Sequence, residues 1–205
     1  ALDEVYAKAE EAVSQRVYLT PEEYGAEGDG STNDLPAWNL ALAASAALGL
    51  PVRMTPGKAY RIAGTLYLLA NSTIEGHPQS RFLCLGADFP ATIKGQYSTG
   101  TALYALNVAN ARLTNRVRIE FSAVPVNRWS VGTAFRGTTG GEISVEVWGC
   151  QSGAGIVLDT AQDVEIVRPI VRDFFMDRAT SGNVTGIIVD DARIDARGEI
   201  AEARE

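Results

Sequence analysis

Tyr24-Gly25-Ala26-Glu27-Gly28-Asp29-Gly30-Ser31-Thr32-Asn33-Asp34 carries the most specific local signals in the chain. Three closely spaced glycines permit positive φ and so specify a tight turn. Asn33 or Asp34 can cap a following helix, and Pro36 suits its first turn. That helix is expected over residues 36–48, with Gly49 as its stop. It is apolar apart from Asn39 and Ser45, so it should lie against a core. A phosphate loop fits poorly: the glycines miss G-x-G-x-x-G, and no Gly-Lys-Ser/Thr is present. Downstream, Val52 to Ile62 and Gly64 to Gly76 read as short strands with Pro-Gly punctuation.

Working outward, four segments begin alike: Gly100-Thr-Ala-Leu103, Gly132-Thr-Ala-Phe135, Gly155-Ile-Val157-Leu158 and Gly186-Ile-Ile188-Val189. Aligned on Leu103, Phe135, Val157 and Ile188, the steps are 32, 22 and 31 residues. A coil of about 22 residues with two insertions of about ten accounts for them. Between the starts lie alternating runs, Val117-Arg-Ile119-Glu-Phe121, Ile143-Ser-Val145-Glu-Val147 and Val164-Glu-Ile166. Alternation marks strands with one buried face. No helix-length segment interrupts residues 101–190, which disfavours a doubly wound α/β fold.

Tyr-Gly-Ala-x-Gly-Asp-Gly-Ser-Thr-Asn-Asp, the alanine-rich helix, Pro56-Gly57-x-x-Tyr60-Arg61-Ile62 and Ser72-Thr73-Ile74-Glu75-Gly76 together resemble the opening segment of the pectate-lyase-like superfamily. Asn33 stands where Asp is commoner, Leu35-Pro36 replaces small residues, and His77-Pro78 replaces a second glycine. The resemblance implies an all-β chain: a short, single-stranded, right-handed parallel β-helix of about four to six coils, whose helix 36–48 caps the first coil. Residues 1–20 are then an N-terminal helix, 21–190 the β-helix and 191–205 a charged tail. Members include polygalacturonases, rhamnogalacturonases and the tailspikes and depolymerases of bacteriophages.

The chain has 205 residues and 46% apolar side chains, enough for one good core. No apolar run reaches the ~18 residues of a membrane span. The first residues lack a secretory pattern, and a start at Ala1 suggests a processed chain or an excised piece. One histidine and two cysteines leave no set of zinc ligands and no disulfide framework, and suit a reduced, intracellular origin. A Ser-His-Asp triad would have to use His77, which follows a turn and is expected to serve only that turn. No metal or other cofactor is expected. Net charge is −7, which argues against non-specific nucleic-acid binding. Residues 88–141 run the other way, with 6 basic and 2 acidic side chains, so an anionic ligand could be met there.

Leu2, Val5, Ala9 and Ala12 form a helical seam flanked by Asp3, Glu4, Lys8, Glu10 and Glu11. It is either a surface helix on its own domain or part of a coiled-coil stem or collar. Catalysis by paired carboxylates is open but unassigned. Asp159, Asp163, Glu165, Asp173 and Asp177 fall where solvated strand faces would carry acids anyway, and Asp190, Asp191 and Asp195 lack the density of a calcium loop. Trp148 and Cys150 read as core. The candidate ligand contacts are Arg128 and Trp129, in the insertion 122–130, with Arg116 and Arg118 nearby. Trp stacks on the apolar face of a sugar ring and Arg bonds carboxylates or hydroxyls; the competing reading packs Trp129 onto the coil.

Read through the resemblance, the chain is a spike or fibre protein of a phage or phage-derived particle, made in the bacterial cytoplasm and displayed on the particle surface. Its expected partners are host surface polysaccharide, other particle proteins and two further copies in a homotrimer, with no membrane insertion. A polysaccharide depolymerase and a structural adaptor are the alternatives.

Overall fold

The computed structural model describes residues 17–89, 100–122, 130–150 and 154–172, and the backbone of 185–190 and 193–197. The seam over residues 1–16, the loop holding Arg128 and Trp129, and Asp173, Asp177 and Asp191 lie outside the described residues. In chain order the elements are β1 (Asp29–Asn33), α1 (Leu35–Leu48), β2 (Val52–Arg53), β3 (Ala59–Arg61), β4 (Leu66–Leu68), β5 (Thr73–Glu75), β6 (Arg81–Leu85) and β7 (Thr101–Leu106). Then come β8 (Arg112–Ser122), β9 (Val131–Arg136), β10 (Glu142–Trp148), β11 (Ala154–Asp159), β12 (Gln162–Val167), β13 (Ile170–Arg172), β14 (Thr185–Asp190) and β15 (Arg193–Arg197).

Among the described residues every strand pair is parallel, and the strands form two sheets. The larger runs β1-β3-β6-β8-β10-β12-β15, with β13 beside β10 and β2-β5 leading into β8; the smaller runs β4-β7-β9-β11-β14. The chain alternates between the sheets and returns one coil further each time, which is the arrangement of a parallel β-helix. In the smaller sheet Leu103 faces Thr133, Thr133 faces Ile156 and Ile156 faces Ile187, giving steps of 30, 23 and 31 residues. The coil-plus-insertion reading therefore holds, but its alignment shifts: Phe135 pairs with Ala105 and Leu158, not with Leu103 and Val157. The repeated Gly-Thr-Ala string misleads because Gly132 is a packing glycine. A Cβ there would lie 2.6 Å from both the Gly155 carbonyl oxygen and the Val147 side chain. β15 extends the larger sheet past residue 190, where the sequence reading began a charged tail.

Inward-facing residues stack in ladders. Ile74, Leu113, Ile143 and Ile166 follow one another in register, as do Phe82, Ile119 and Val147, all buried. Both cysteines are free and fully buried, and burial pushes the Cys150 thiol up to about 12, so they act as small apolar fillers. Helix α1 closes the first coil by laying Trp38 edge-on against Tyr60 and Phe82, with ring centroids 5.2 and 4.7 Å apart. The two expected capping residues take different partners. Asn33 Oδ1 accepts from the amides of Leu35 (3.2 Å) and Ala63 (3.0 Å). The Asp34 carboxylate makes no bond to the helix; it turns back and accepts from the amides of Glu27 (2.8 Å) and Gly28 (3.2 Å), pinning the glycine turn.

Candidate functional site

A crease runs along the larger sheet, and local sequence builds it coil by coil. On β8, Leu113 faces Ile143 but Val117 faces Val145, so β8 carries two residues more than β10 between these pairs. The alternating pattern would send Asn115 into the core; its polarity forces a bulge instead. Asn115 and Arg116 both adopt φ 57°, a left-handed conformation that costs side-chain-bearing residues about 1–2 kcal/mol each. The Arg116 amide donates to Ser144 Oγ at 3.1 Å. One coil above, Gly76 leaves room for the bulge: a Cβ there would stand 2.7 Å from the carbonyl of Arg116. Two coils below, beyond β10, β12 breaks into β13 at Arg168, where φ is 45°.

The crease holds an open groove of about 800 Å³ that crosses these coils. Arg53, His77, Arg116 and Arg168 supply its basic side chains, and Glu75 and Glu142 its carboxylates. Glu75 is committed: it accepts from Arg53 Nε at 3.0 Å and from Asn115 Nδ2 at 2.9 Å. Arg53 also rests over the Tyr18 ring, 4.0 Å from its centroid. Arg116 is exposed, as is Arg168, and among the described residues neither has a carboxylate at ion-pair distance. The Glu142 carboxyl is raised by burial, against the pull of Arg112 and with a push from Glu165, its register neighbour on β12. His77 does serve its turn, its Nδ1 accepting from the Gln79 amide at 3.2 Å, and it also walls the groove.

Arg118 does not join Arg116. It lies on the far half of β8 with its guanidinium 3.8 Å from the centroid of the Trp148 ring, and it pairs with Glu120 at 3.1 Å. Arg81 reaches the same Glu120 oxygen at 3.2 Å. Trp148 is therefore not a core residue: Val145 and Val147 take the inward positions of β10, leaving Glu146 and Trp148 outward. Its indole N–H donates to Glu146 at 2.9 Å. Arg136, another cation of the basic middle, is occupied by Asp159 at 2.9 Å. Sequence reasoning found Arg116 but missed Arg53, Glu142 and Arg168, which only the coil register brings together. The signal available was the polar Asn115 in an otherwise alternating strand. Among the described residues no group of three or more His, Cys, Asp or Glu is placed to hold a metal.

No family model matches this chain, and no curated protein matches it in sequence. Solved structures do resemble it. The surface protein and adhesin PfbA of Streptococcus pneumoniae superposes with a TM-score of 0.63 at 16% identity, over 80% of this chain and 43% of that one. A Family 28 exopolygalacturonase of Yersinia enterocolitica gives 0.59 at 14% identity, over 88% of this chain and 49% of that one. A candidate glycosyl hydrolase of Parabacteroides merdae gives 0.53 at 14% identity, over 85% and 94%. The chain spans less than half the length of the first two. At these identities the likeness is one of fold alone, and it agrees with the parallel strand stack.

Proposed function

We propose that this chain is a spike or fibre protein of a phage or phage-derived particle, gene transfer agent-like particles included, that attaches to host surface polysaccharide through the crease. The full proposal is a right-handed coil stack of about four to six turns, assembled as a homotrimer and displayed on the particle. The observation that carries it is the groove itself: Arg116 and Arg168, exposed and without carboxylate partners among the described residues, lie along a channel that crosses successive coils. Such a channel suits a chain ligand, and paired guanidiniums suit its carboxylates and hydroxyls. The motif likeness to the superfamily of the tailspikes points the same way. Arg128 and Trp129 remain proposed contacts from their loop. Arg118 is proposed as a contact on the neighbouring outer face, beside Trp148.

A depolymerase is the second reading, favoured by Glu142. A half-buried carboxyl whose proton affinity is raised by burial suits a general acid, although its would-be partner Glu75 is tied down by Arg53 and Asn115. One experiment separates the two. Host capsule is incubated with the protein, bound protein is measured, and the supernatant is weighed by mass spectrometry. The binder reading expects retention and no oligosaccharide fragments. It also expects Arg116→Ala or Arg168→Ala to weaken binding about 10–100-fold, the worth of a charge-assisted hydrogen bond. Fragments that disappear in Glu142→Gln establish the depolymerase instead.

A further inference from the structure

The crease carries its charge in an order that the coil register sets. In the larger sheet β2 stacks on β5, β5 on β8, β8 on β10 and β10 on β12, so each of these strands belongs to the next coil. His77 aside, the charged side chains lining the groove stand one to a coil. Arg53 is on β2, Glu75 on β5, Arg116 on β8 and Glu142 on β10, and Arg168 immediately follows β12. Their signs alternate along the stack. Arg112 and Glu165, the register neighbours of Glu142, do not line the groove.

This order constrains the ligand. Hydrogen-bonded strands lie about 4.7–4.9 Å apart, so like charges on alternate coils recur at about 9–10 Å with an opposite charge between them. Exposed charges are felt over about 8 Å at physiological ionic strength. One coil is well inside that range and two coils lie outside it. An acid group on the ligand is therefore governed by its own coil and the two beside it. Set against Arg116 or Arg168 it is bound; one coil further along it meets Glu75 or Glu142 and is repelled. Glu75 is held in place by Arg53 Nε at 3.0 Å and Asn115 Nδ2 at 2.9 Å, and Glu142 is half-buried on β10. A hydroxyl at either position would donate to the carboxyl oxygens instead. Two sugar rings of an extended chain cover about the same distance as two coils.

We infer that the ligand is a glycan with a disaccharide repeat and an acid group on every second sugar, lying along the stack with its acids on Arg116 and Arg168 and its uncharged sugars over Glu75 and Glu142. This ligand class presupposes attachment through the crease, so the two are tested apart. The full chain is titrated at neutral pH and fixed ionic strength with octasaccharides of hyaluronan and of unsulfated chondroitin, which carry a carboxylate on every second sugar. Octagalacturonate, with one on every sugar, is the comparison. Charge number alone favours octagalacturonate, which has twice as many carboxylates. The alternating order predicts the reverse: at least one alternating probe binds about tenfold tighter or more. Glu75→Gln with Glu142→Gln should close most of that gap by strengthening octagalacturonate binding, and Glu142→Gln alone, which leaves the Glu75 contacts intact, should close part of it. Octagalacturonate binding as tightly as both alternating probes, binding of none of the three, or a gap that both variants leave unchanged overturns the alternating class. Host capsule tests the crease separately: retention that Arg116→Ala and Arg168→Ala weaken upholds the attachment site even where the octasaccharides overturn the charge order, and retention that neither weakens overturns both.

Discussion

Asp34 shows how one side chain can hold a turn at the expense of its own ionisation. It is 1% exposed, and burial raises its carboxyl above the ordinary 3.8 despite the two amide donors that favour the charge. The sign follows from linkage. A carboxyl that binds its proton more tightly when folded contributes its stability in full below the unfolded value, and loses it as pH rises through the raised value. Asp34→Asn should flatten this falling limb, as read from thermal melts across pH 3–8. It should also lower stability throughout by about 1–3 kcal/mol, since an amide offers one oxygen to two buried N–H groups. A parent-like slope would show that Asp34 titrates as it does in the unfolded chain. In the groove, burial raises the Glu142 carboxyl in the same direction.

Among the elements, α1 decides whether the stack has a protected end. Open sheet edges and uncovered coil interiors template association, and Trp38 and Leu42, both fully buried, are what cover the first coil. Leu42→Asp places a charge there without a partner and should yield insoluble or misassembled protein; normal solubility and melting would remove the capping role. The sequence showed this element well, because a glycine turn, a proline in the first turn and a glycine stop are all local signals. The alternating strands were equally legible, since a buried face imposes period two. The register was less so. Gly-Thr-Ala recurs at 100–102 and 132–134, yet pairing sets Thr101 opposite Val131, and a two-residue offset is invisible where similar strings serve different packing needs. Trp148 was misplaced for a related reason: alternation fixes which residues share a face, and a tryptophan on the outward set still hides much of its ring beneath Arg118. The groove was mostly illegible, because Arg53, Arg116 and Arg168 are far apart in sequence and become neighbours only through coil stacking.

At the scale of the whole molecule, a short stack has much surface for its core, and the first coils of the smaller sheet show it. Tyr67 is 46% exposed, Leu69 37% and Leu106 40%, whereas Tyr104, the register neighbour of Tyr67, is buried. Three copies packed along this sheet would cover the exposed side chains, so light scattering at micromolar concentration should give about three times 21.9 kDa. Tyr67→Glu should lower that mass, and a heat-resistant parent monomer would refute the assembly. The proposed attachment requires that polysaccharide bind in the crease. The most direct measurement is a crystal structure of the protein soaked with an oligosaccharide from host capsule. The account predicts sugar density along the groove, across successive coils, with Arg116 and Arg168 on its carboxylates or hydroxyls. Density on another face, with the crease left to solvent, would contradict it.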